Sequence, residues 1–257
     1  MELKPKKSLG QNFLKDEKVL ERIIQSADLE SDDFVIEVGP GEGVLTEKLT
    51  EKAANVLAIE IDQNLVPKLK EKFKENEKIE IINDDILKIN LEELTRDKKY
   101  KVVANIPYYI TSKIIRLFLE SENPPTEMIL MTQKEVAERI VAKPGKMSLL
   151  AVSVQYYATA KIIFEVSRNS FFPVPEVDSA VIKISDIKND GEDSKKFFQV
   201  VKAGFSAKRK TLINNLSNGL HLEKDFVEEK IKTVPLSKTV RAQELSISDW
   251  KKLSNLF

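Results

Sequence analysis

The sequence of 257 residues contains no cysteine and a single histidine, His221. Without cysteine there is no disulfide framework, no thiolate nucleophile and no cysteine-ligated zinc. A single histidine argues against histidine-cluster metal sites and against Ser-His-Asp catalysis. We therefore predict chemistry that uses neither residue type and requires no metal.

Long apolar runs are missing as well. No stretch approaches the roughly 18 apolar residues that a membrane span requires. The N-terminal segment MELKPKKSLGQNFL is basic, but it lacks the apolar core of a secretory signal. Hydrophobic residues make up 42% and charged residues 32%, as in ordinary globular proteins. These features predict a cytoplasmic protein with no membrane partner.

Charge of one sign is not in excess, since 41 basic residues balance 41 acidic ones. This balance argues against a uniformly basic nucleic-acid-binding surface, although a neutral total can conceal segregated charge. Basic residues gather in KPKKS near the N-terminus and in AKRK at 207–210, and acidic ones in DGED at 190–193 and EKDFVEEK at 223–230. Charge runs are usually solvated surface, so the basic clusters are suggestive only.

Strand-like and helix-like segments alternate over the first half of the chain. The β-rich strings are FVIEV (34–38), NVLAIEI (55–61), IEIIN (79–83), YKVVANI (100–106) and EMILMT (127–132). The stretches between them place apolar residues at helical spacing. This alternation predicts βαβ units and a mostly parallel sheet that is covered on both faces.

The pattern changes in the second half. After the helical TQKEVAERIVAK, two further strands are predicted, in LAVSVQYYA and VDSAVIKIS. The polar, glycine-containing SDIKNDGEDSKK (185–196) is typical of a linker, and the segments beyond it have helical periodicity. We predict an α/β sheet domain over residues 1–186 and a small all-helical domain over residues 187–257.

Three glycines, Gly39, Gly41 and Gly43, follow the first strand and precede a helix. Open α/β sheets bind ligands at this edge, and glycine lets the backbone turn sharply and approach a ligand closely. Glu60 ends the next strand and could accept hydrogen bonds from two ribose hydroxyls. The spacing is G-x-G-x-G instead of the G-x-G-x-x-G that accommodates a pyrophosphate. It favours an adenosine-containing cofactor with an amino-acid tail over a dinucleotide; the alternative is a tight turn without a ligand.

Two further strands end in polar residues, Asp85 in NDDILK and Asn105 in NIPYYI. Asp85 could accept from an adenine amino group, or it could cap a helix or turn. Asn105 offers an acceptor and two donors to a planar amino group, and Tyr108 offers a face on which a base can stack. Pro107 stiffens the turn between them. The alternative is a plain turn with a packed tyrosine.

The ordered motifs SLGQNFL, EVGPGEG, EID, DD, NIPYYI and FFPVPEVDSAV resemble the KsgA family of ribosomal RNA adenine N6,N6-dimethyltransferases, over essentially the whole chain. The resemblance implies a class I S-adenosylmethionine-dependent methyltransferase fold: a Rossmann-like, mostly parallel seven-stranded sheet with a small helical C-terminal domain. It implies S-adenosylmethionine as methyl donor and, as substrate, two adjacent adenosines in the 3′-terminal hairpin loop of 16S rRNA within the immature 30S subunit.

The resemblance also implies residue roles. The residues expected to bind the cofactor are Asn12, Leu14, Gly39, Gly41, Glu60, Asp85 and Asn105. The residues expected to receive the target adenine are Asn105 and Pro107 at N6, with Tyr108 and Phe172 on the two faces of the base. The expected phosphate contacts are Lys6, Lys7, Lys202, Lys208, Arg209 and Lys210. One departure from the pattern is Met147-Ser148, where many relatives carry Tyr-Gly.

Four alternatives stay open at this point. Related enzymes that methylate large-subunit rRNA and confer macrolide resistance share the core motifs, although Pro40, FFPVPEVDS and RKTLINNL look more like the small-subunit branch. A nicotinamide-dependent oxidoreductase would use a similar sheet, but the glycine spacing and the lack of a histidine there count against it. A non-catalytic ribosome-assembly factor or a methyltransferase for another RNA or for DNA could share the scaffold. We expect a monomer.

Overall fold

A computed structural model describes residues 11–188 and 194–257. One unit comprises the described chain up to Ala137 together with the segment that starts at Ala158. The other comprises Glu138–Tyr157 and the C-terminal part that ends at Phe257. The segment 138–157 thus lies in the helical unit, although the domain boundary predicted at 186 places it in the sheet domain. Part of the predicted linker, residues 189–193, lies outside the described ranges.

The first unit contains a seven-stranded sheet. Its strands are β2 (Phe34–Val38), β3 (Asn55–Glu60), β4 (Ile79–Asn83), β5 (Tyr100–Asn105), β6 (Glu127–Gln133), β7 (Thr159–Val166) and β9 (Ser179–Ser185). Their order across the sheet is β4-β3-β2-β5-β6-β9-β7. The first five are parallel, whereas β9 runs antiparallel to both β6 and β7. The predicted mostly parallel seven-stranded sheet is confirmed.

A separate two-stranded ribbon joins distant parts of the same unit. β1 (Phe13–Leu14) pairs antiparallel with β8 (Phe171–Phe172), with Phe13 opposite Phe172. This pairing holds the GQNFL segment beside the FFPVP segment, two motifs that are more than 150 residues apart in sequence.

Helices cover the sheet. They are α1 (Glu17–Ala27), α2 (Val44–Lys52), α3 (Val66–Lys72), α4 (Leu91–Thr95) and α5 (Thr111–Leu119), followed by α6 (Lys134–Ile140), which runs across the boundary between the units. Apolar residues of α1 and α2 pack on the central strands in one core cluster that includes Ile23, Leu49 and Val35. Burial of each such side chain contributes on the order of 1.5–3 kcal/mol, so the strand–turn–helix segment around the glycines rests on a well-packed base.

One predicted strand is wrong. LAVSVQYYA forms helix α7 (Leu149–Tyr157), and the remaining strand of the sheet is β7, which follows it. A short apolar run fits a buried strand and a buried helix equally well. Here Ser148 Oγ accepts a hydrogen bond from Ala151 N at 3.1 Å, which caps the helix start, and Val152 and Val154 are fully buried.

The second unit is helical, as predicted. Besides α7 it contains α8 (Ser194–Gly204), α9 (Leu212–Leu220), α10 (Lys224–Lys232) and α11 (Ile247–Ser254). Its core includes the fully buried Trp250, which stacks on Phe205 with ring centroids 5.5 Å apart. A Cβ on Gly204 would lie 2.4 Å from the Trp250 ring, so only glycine fits there without a shift. No helix in the described ranges is long and apolar enough to cross a membrane.

Candidate active site

A cavity of about 240 Å³ opens at the carboxyl ends of β2, β3 and β5, next to the loop after β4. This is many times the roughly 10–15 Å³ that one water molecule needs, so the cavity has room for a small molecule. Nine of the residues predicted for the site line it: Asn12, Leu14, Gly39, Gly41, Glu60, Asp85, Asn105, Pro107 and Tyr108. Phe172 does not line the cavity, but its strand pairs with β1, whose two residues do.

The glycine turn has a backbone that other residues rarely adopt. Gly39, Gly41 and Gly43 have φ angles of 70°, 60° and 74°, in the left-handed region. A Cβ at Gly41 would lie 3.1 Å from the Phe13 ring, so the turn is also crowded. Gly43 precedes α2 and supplies no side-chain cap, which leaves N–H groups of the first helical turn available at the cavity.

Glu60 is almost fully buried at the end of β3. Its Oε2 accepts from Gly41 N at 3.1 Å and its Oε1 from Asp62 N at 2.8 Å. Burial raises the pKa of Glu60, although both N–H bonds oppose the shift. A carboxylate has about four acceptor positions, so these bonds leave acceptor capacity for the hydroxyls of a ligand.

Asp85 caps a turn, which is one of the two tasks that the sequence left open, and it also lies at the cavity. It lines the cavity, and its Oδ1 accepts from Leu87 N at 3.0 Å, which caps the turn after β4. Its Oδ2 lies 3.8 Å from the ammonium group of Lys88. The capping bond therefore orients the Asp85 carboxylate while the residue still lines the cavity.

The NIPYY segment forms the opposite wall. Asn105 Nδ2 donates to the backbone carbonyl of Asn12 at 3.5 Å, and its Oδ1 has no partner among the described residues. The Pro107 carbonyl accepts from Ile110 N at 3.2 Å. Thr111 Oγ1 lies 3.5 Å from the same carbonyl, but the single proton of this hydroxyl has a nearer carbonyl acceptor in Tyr108, at 3.2 Å, which leaves one lone pair of the Pro107 carbonyl. Two acceptors at this wall, the Asn105 amide oxygen and the Pro107 carbonyl, thus keep free capacity for hydrogen bonds.

Aromatic rings follow these acceptors. The half-buried Tyr108 shares a hydrogen bond of 2.6 Å between its hydroxyl and Ser179 Oγ, and burial raises the pKa of Tyr108. Tyr109 is 58% exposed and Phe172 61% exposed. Both rings lie in or next to the segments that form the cavity.

Glu37 is a cavity residue that the sequence analysis missed. It is fully buried, and neither its Oε2 nor the nearby buried Thr46 Oγ1 has a hydrogen-bond partner within the described part of the chain. Burial raises the pKa of Glu37 to about 8. A signal was present in FVIEV, because a central parallel strand is normally an unbroken apolar run and a carboxyl group inside it is exceptional.

The predicted phosphate contacts lie in the helical unit where they are described. Lys202 is exposed on α8, and Lys208, Arg209 and Lys210 are exposed in the loop between α8 and α9. The side chains of these four residues have no ion-pair partner in the described ranges. Lys6 and Lys7 lie outside the described residues.

The loop that carries three of these cations is held by one buried amide. Asn215 Nδ2 donates to the Gly204 carbonyl at 2.6 Å and to the Ala207 carbonyl at 3.0 Å. Its Oδ1 accepts from Ser206 Oγ at 3.4 Å. The loop backbone is therefore ordered before any ligand binds.

Charge is segregated between the units despite the neutral total. The described residues of the helical unit contain 16 Lys and Arg against 7 Asp and Glu, a net charge of +9. Those of the sheet unit contain 22 against 30, a net charge of −8. The helical unit by itself is thus a strongly basic domain.

Two further expectations concern Met147-Ser148 and metals. Met147 is buried in the helical core and Ser148 caps α7, so both residues have structural roles. Among the described residues there is no cluster of three or more His, Asp or Glu side chains suited to a metal. That the protein needs no metal stays a prediction.

Comparisons with known proteins agree with this geometry. Residues 2–257 match the model of the family described as ribosomal RNA adenine dimethylase. The chain is similar to "Ribosomal RNA small subunit methyltransferase A" of Dehalococcoides mccartyi strain CBDB1, with 45% identity over 98% of this chain and 88% of the relative. The protein of the same name from Clostridioides difficile strain 630 is 42% identical, over 97% and 90%.

Two solved structures are similar over nearly the whole chain. A dimethyladenosine transferase from Plasmodium falciparum has a TM-score of 0.80 and 27% identity, over 94% of this chain and 95% of that one. The 23S rRNA methyltransferase ErmE has a TM-score of 0.75 and 28% identity, over 95% and 99%. These matches confirm the class I methyltransferase fold and the enzyme class that the motifs implied. The chain belongs to the ribosomal RNA adenine dimethylase family.

Proposed function

We propose that this protein transfers methyl groups from S-adenosylmethionine to N6 of two adjacent adenosines in the 3′-terminal hairpin loop of 16S rRNA, giving N6,N6-dimethyladenosines. The observation that carries the proposal is the meeting of Gly39, Glu60, Asp85 and Asn105 in one open cavity. Four strand ends supply a cofactor cradle and acceptors for a planar amine at the same place. Methylation of a nucleobase requires both.

The residues present fit S-adenosylmethionine. The uncapped start of α2 behind the glycine turn suits the carboxylate of an amino-acid tail, and Glu60 retains acceptor positions for ribose hydroxyls. Asp85 would accept from the adenine amino group, and Asn12 and Leu14 would close over the cofactor from β1 and the residue before it. When bound, S-adenosylmethionine would supply an activated methyl group for transfer to N6, with S-adenosylhomocysteine as the leaving group and one N6 proton released to solvent.

Asn105 and Pro107 prepare the nucleophile. An exocyclic adenine amine is a weak nucleophile because its lone pair is delocalised into the ring. Hydrogen bonds from N6–H to Asn105 Oδ1 and to the Pro107 carbonyl favour a pyramidal nitrogen with a localised lone pair. Both acceptors are held by the protein before the base arrives, and such preorganised contacts supply much of a catalyst's rate enhancement.

Tyr108 and Phe172 would hold the base. A target adenine must leave its stack to enter the cavity, at a cost of a few kcal/mol that is smaller in a hairpin loop than in a duplex. Stacking on an aromatic side chain returns about 1–3 kcal/mol per base. The exposure of Phe172 leaves its ring available for such a contact.

The basic helical unit would grip the RNA. Lys202, Lys208, Arg209 and Lys210 are exposed and unpaired within the described ranges, as phosphate-binding residues should be. We infer a monomer that acts in the cytoplasm on the immature 30S subunit, where the hairpin is presented in folded rRNA. Lys6 and Lys7 are proposed as further phosphate contacts.

Two alternatives are tested by the same experiment. The likeness to ErmE favours large-subunit rRNA as the second candidate substrate, whereas the relatives named for the small subunit, at 42–45% identity, favour the first. The protein is incubated with methyl-labelled S-adenosylmethionine and either immature small subunits or large subunits, and modified adenosines are mapped. Dimethyladenosine at the 16S 3′ hairpin is expected. Label on 23S rRNA would instead identify large-subunit rRNA as the substrate. Tight binding of the protein to small subunits without methyl transfer would indicate an assembly factor.

A further inference from the structure

Tyr108 is tied to a residue that the proposed mechanism does not use. Its hydroxyl lies 2.6 Å from Ser179 Oγ, across 71 residues of sequence. Ser179 is fully buried and is the first residue of β9. In register it lies opposite Gln133 of β6 and Val166 of β7, so strands on both sides hold its backbone. The Ser179 hydroxyl is therefore a fixed point, whereas Tyr108 lies in a short 3-10 turn outside the sheet.

A second bond holds the backbone of the same turn. Thr111 Oγ1 lies 3.0 Å from Thr132 Oγ1 of β6 and 3.2 Å from the Tyr108 carbonyl. Both threonines are buried. Thr132 lies opposite Ala180, the residue after Ser179, so the two attachment points are neighbours at the ends of β6 and β9. One of them holds the backbone of the turn and the other holds the far end of the Tyr108 ring.

We propose that Ser179 is a positioning residue that holds the Tyr108 ring in place for stacking on the target adenine. The phenol oxygen lies on the long axis of the ring, so a bond to it restricts the swing of the ring about χ1. Stacking itself needs only the face of the ring, and a phenylalanine would provide that. The hydroxyl serves to preorganise that face. This inference rests on the proposed function, because it assigns Ser179 a part in receiving the base.

Burial supports a positioning role over an acid–base role. It raises the pKa of Tyr108, so the phenol stays neutral at physiological pH and its bond to Ser179 joins two neutral groups. A hydrogen bond between neutral groups has a modest net effect. Its loss should therefore slow transfer by a limited factor and leave cofactor binding unchanged.

The test is a double-mutant cycle on methyl transfer to the 16S 3′ hairpin with Ser179→Ala, Tyr108→Phe and both together. Each single variant should lower kcat about three- to tenfold, with KM for S-adenosylmethionine unchanged, and the double variant should be no slower than the slower single one. Tyr108→Phe breaks the same bond without touching the sheet, so the cycle does not depend on how β9 tolerates alanine. Full activity in Ser179→Ala, or multiplicative losses in the double variant, would overturn the inference.

A matched control separates positioning from general stability. Ser121 is another buried serine of the same unit; its hydroxyl bonds to the Asn123 carbonyl at 3.3 Å, and it does not line the cavity. Ser121→Ala should leave kcat unchanged. If it slows transfer as much as Ser179→Ala, a general effect of losing a buried hydroxyl explains both, and the positioning role is rejected.

The environment of the Tyr108 ring can also be measured without an activity assay, by fluorine NMR. The protein has five tyrosines, and in 3-fluorotyrosine-labelled protein the fluorine signal of Tyr108 is assigned from its loss in Tyr108→Phe. Ser179→Ala should shift and broaden this signal, and Ser121→Ala should not. If the Tyr108 signal does not change in Ser179→Ala and the wild-type protein is active, the positioning role of Ser179 is rejected and the proposed function is not affected. Absence of transfer to any rRNA by the wild-type protein would instead reject the proposed function, and with it the part given to Ser179.

Discussion

At the scale of single residues, the site is built from polar groups whose hydrogen bonds are only partly used. Glu60 and the Pro107 carbonyl each bind backbone N–H groups and keep acceptor capacity, and Asn105 keeps its Oδ1 free within the described residues. Glu37 goes further, because its Oε2 has no partner there. Groups of this kind cost stability in the empty protein, and a ligand recovers part of that cost.

Glu37 should make stability depend on pH. Its ordinary pKa is 4.5 and burial raises the pKa to about 8, so between these values the unfolded chain has released a proton that the folded chain keeps. Stability is then greatest below pH 4.5 for this group and falls as pH rises towards 8, by up to about 1.4 kcal/mol per pH unit. Urea unfolding across this range should show a stability advantage of Glu37→Gln over wild type that grows with pH.

The control is Glu80→Gln, which removes an exposed carboxylate from β4 of the same sheet. The curve of unfolding free energy against pH for Glu80→Gln should run parallel to that of wild type at every pH. If the Glu37→Gln curve is also parallel to that of wild type, Glu37 is ionised in the folded protein and the pKa assignment is wrong.

Asn105 should matter for transfer much more than for cofactor affinity. Asn105→Ala removes the amide oxygen that would accept N6–H, a contact made as the nucleophile forms, and loss of one such preorganised group typically costs about 10²–10³ in kcat. Calorimetry should give a Kd for S-adenosylmethionine within a few-fold of wild type. Asn55→Ala, an exposed asparagine at the other end of the sheet, should leave both quantities unchanged. Retention of full kcat by Asn105→Ala would remove Asn105 from the mechanism.

Residue types and spacing predicted the strand-end residues well, since chain order fixes which edge of a parallel sheet each strand end reaches. They could not predict the partners of those residues. The bond from Tyr108 to Ser179 joins a turn to a strand 71 residues later, and it depends on β9 inserting between β6 and β7. No local pattern in the sequence encodes that insertion.

At the scale of elements, the sequence predicted every parallel strand and the antiparallel strand β9 in VDSAVIKIS, and it failed at β7. β-branched and aromatic residues favour a strand in LAVSVQYYA, yet burial on nearly all sides suits a central helix equally. The strand beside it, TAKIIFEV, is at the sheet edge and is only partly buried, so its apolar signal is weaker. The helical periodicity beyond the predicted linker is interrupted between Gly204 and Leu212, and this break forms the cationic loop.

That loop should dominate the salt dependence of RNA binding. Replacing Lys208, Arg209 and Lys210 together by alanine removes three proposed phosphate contacts, so the slope of log Kd against log salt should become shallower by about 2–3. The measurement is fluorescence anisotropy with the 16S 3′ hairpin at several salt concentrations. Lys68, Lys70 and Lys74, three exposed lysines of the acidic unit, provide a variant with the same change in net charge. An equal change in slope for both triple variants would mean that total charge matters and the loop does not.

At the scale of the whole molecule, a net charge of zero does not describe the local charge that RNA would encounter. A helical unit of +9 and a sheet unit of −8 cancel in the total, yet phosphate contacts depend on charge within about a Debye length, roughly 8–10 Å. The neutral total predicts weak, shape-dominated recognition, whereas the segregated charge predicts strong local attraction. Composition alone could not separate these outcomes, because it does not say which residues fold together.

The salt dependence of RNA binding by the wild-type protein decides between shape-dominated recognition and local electrostatic attraction. The four contacts from Lys202 and the loop should by themselves lower affinity for the hairpin roughly 50- to 150-fold between 50 and 200 mM salt, and contacts from Lys6 and Lys7 would add to this fall. A protein that read shape alone, with no net release of counterions, would lose little affinity over this range. Cofactor affinity, which depends on the buried groups of the sheet unit, should stay nearly constant in the same buffers and serves as the internal control. A flat RNA curve beside a flat cofactor curve would show that the basic unit does not bind phosphate.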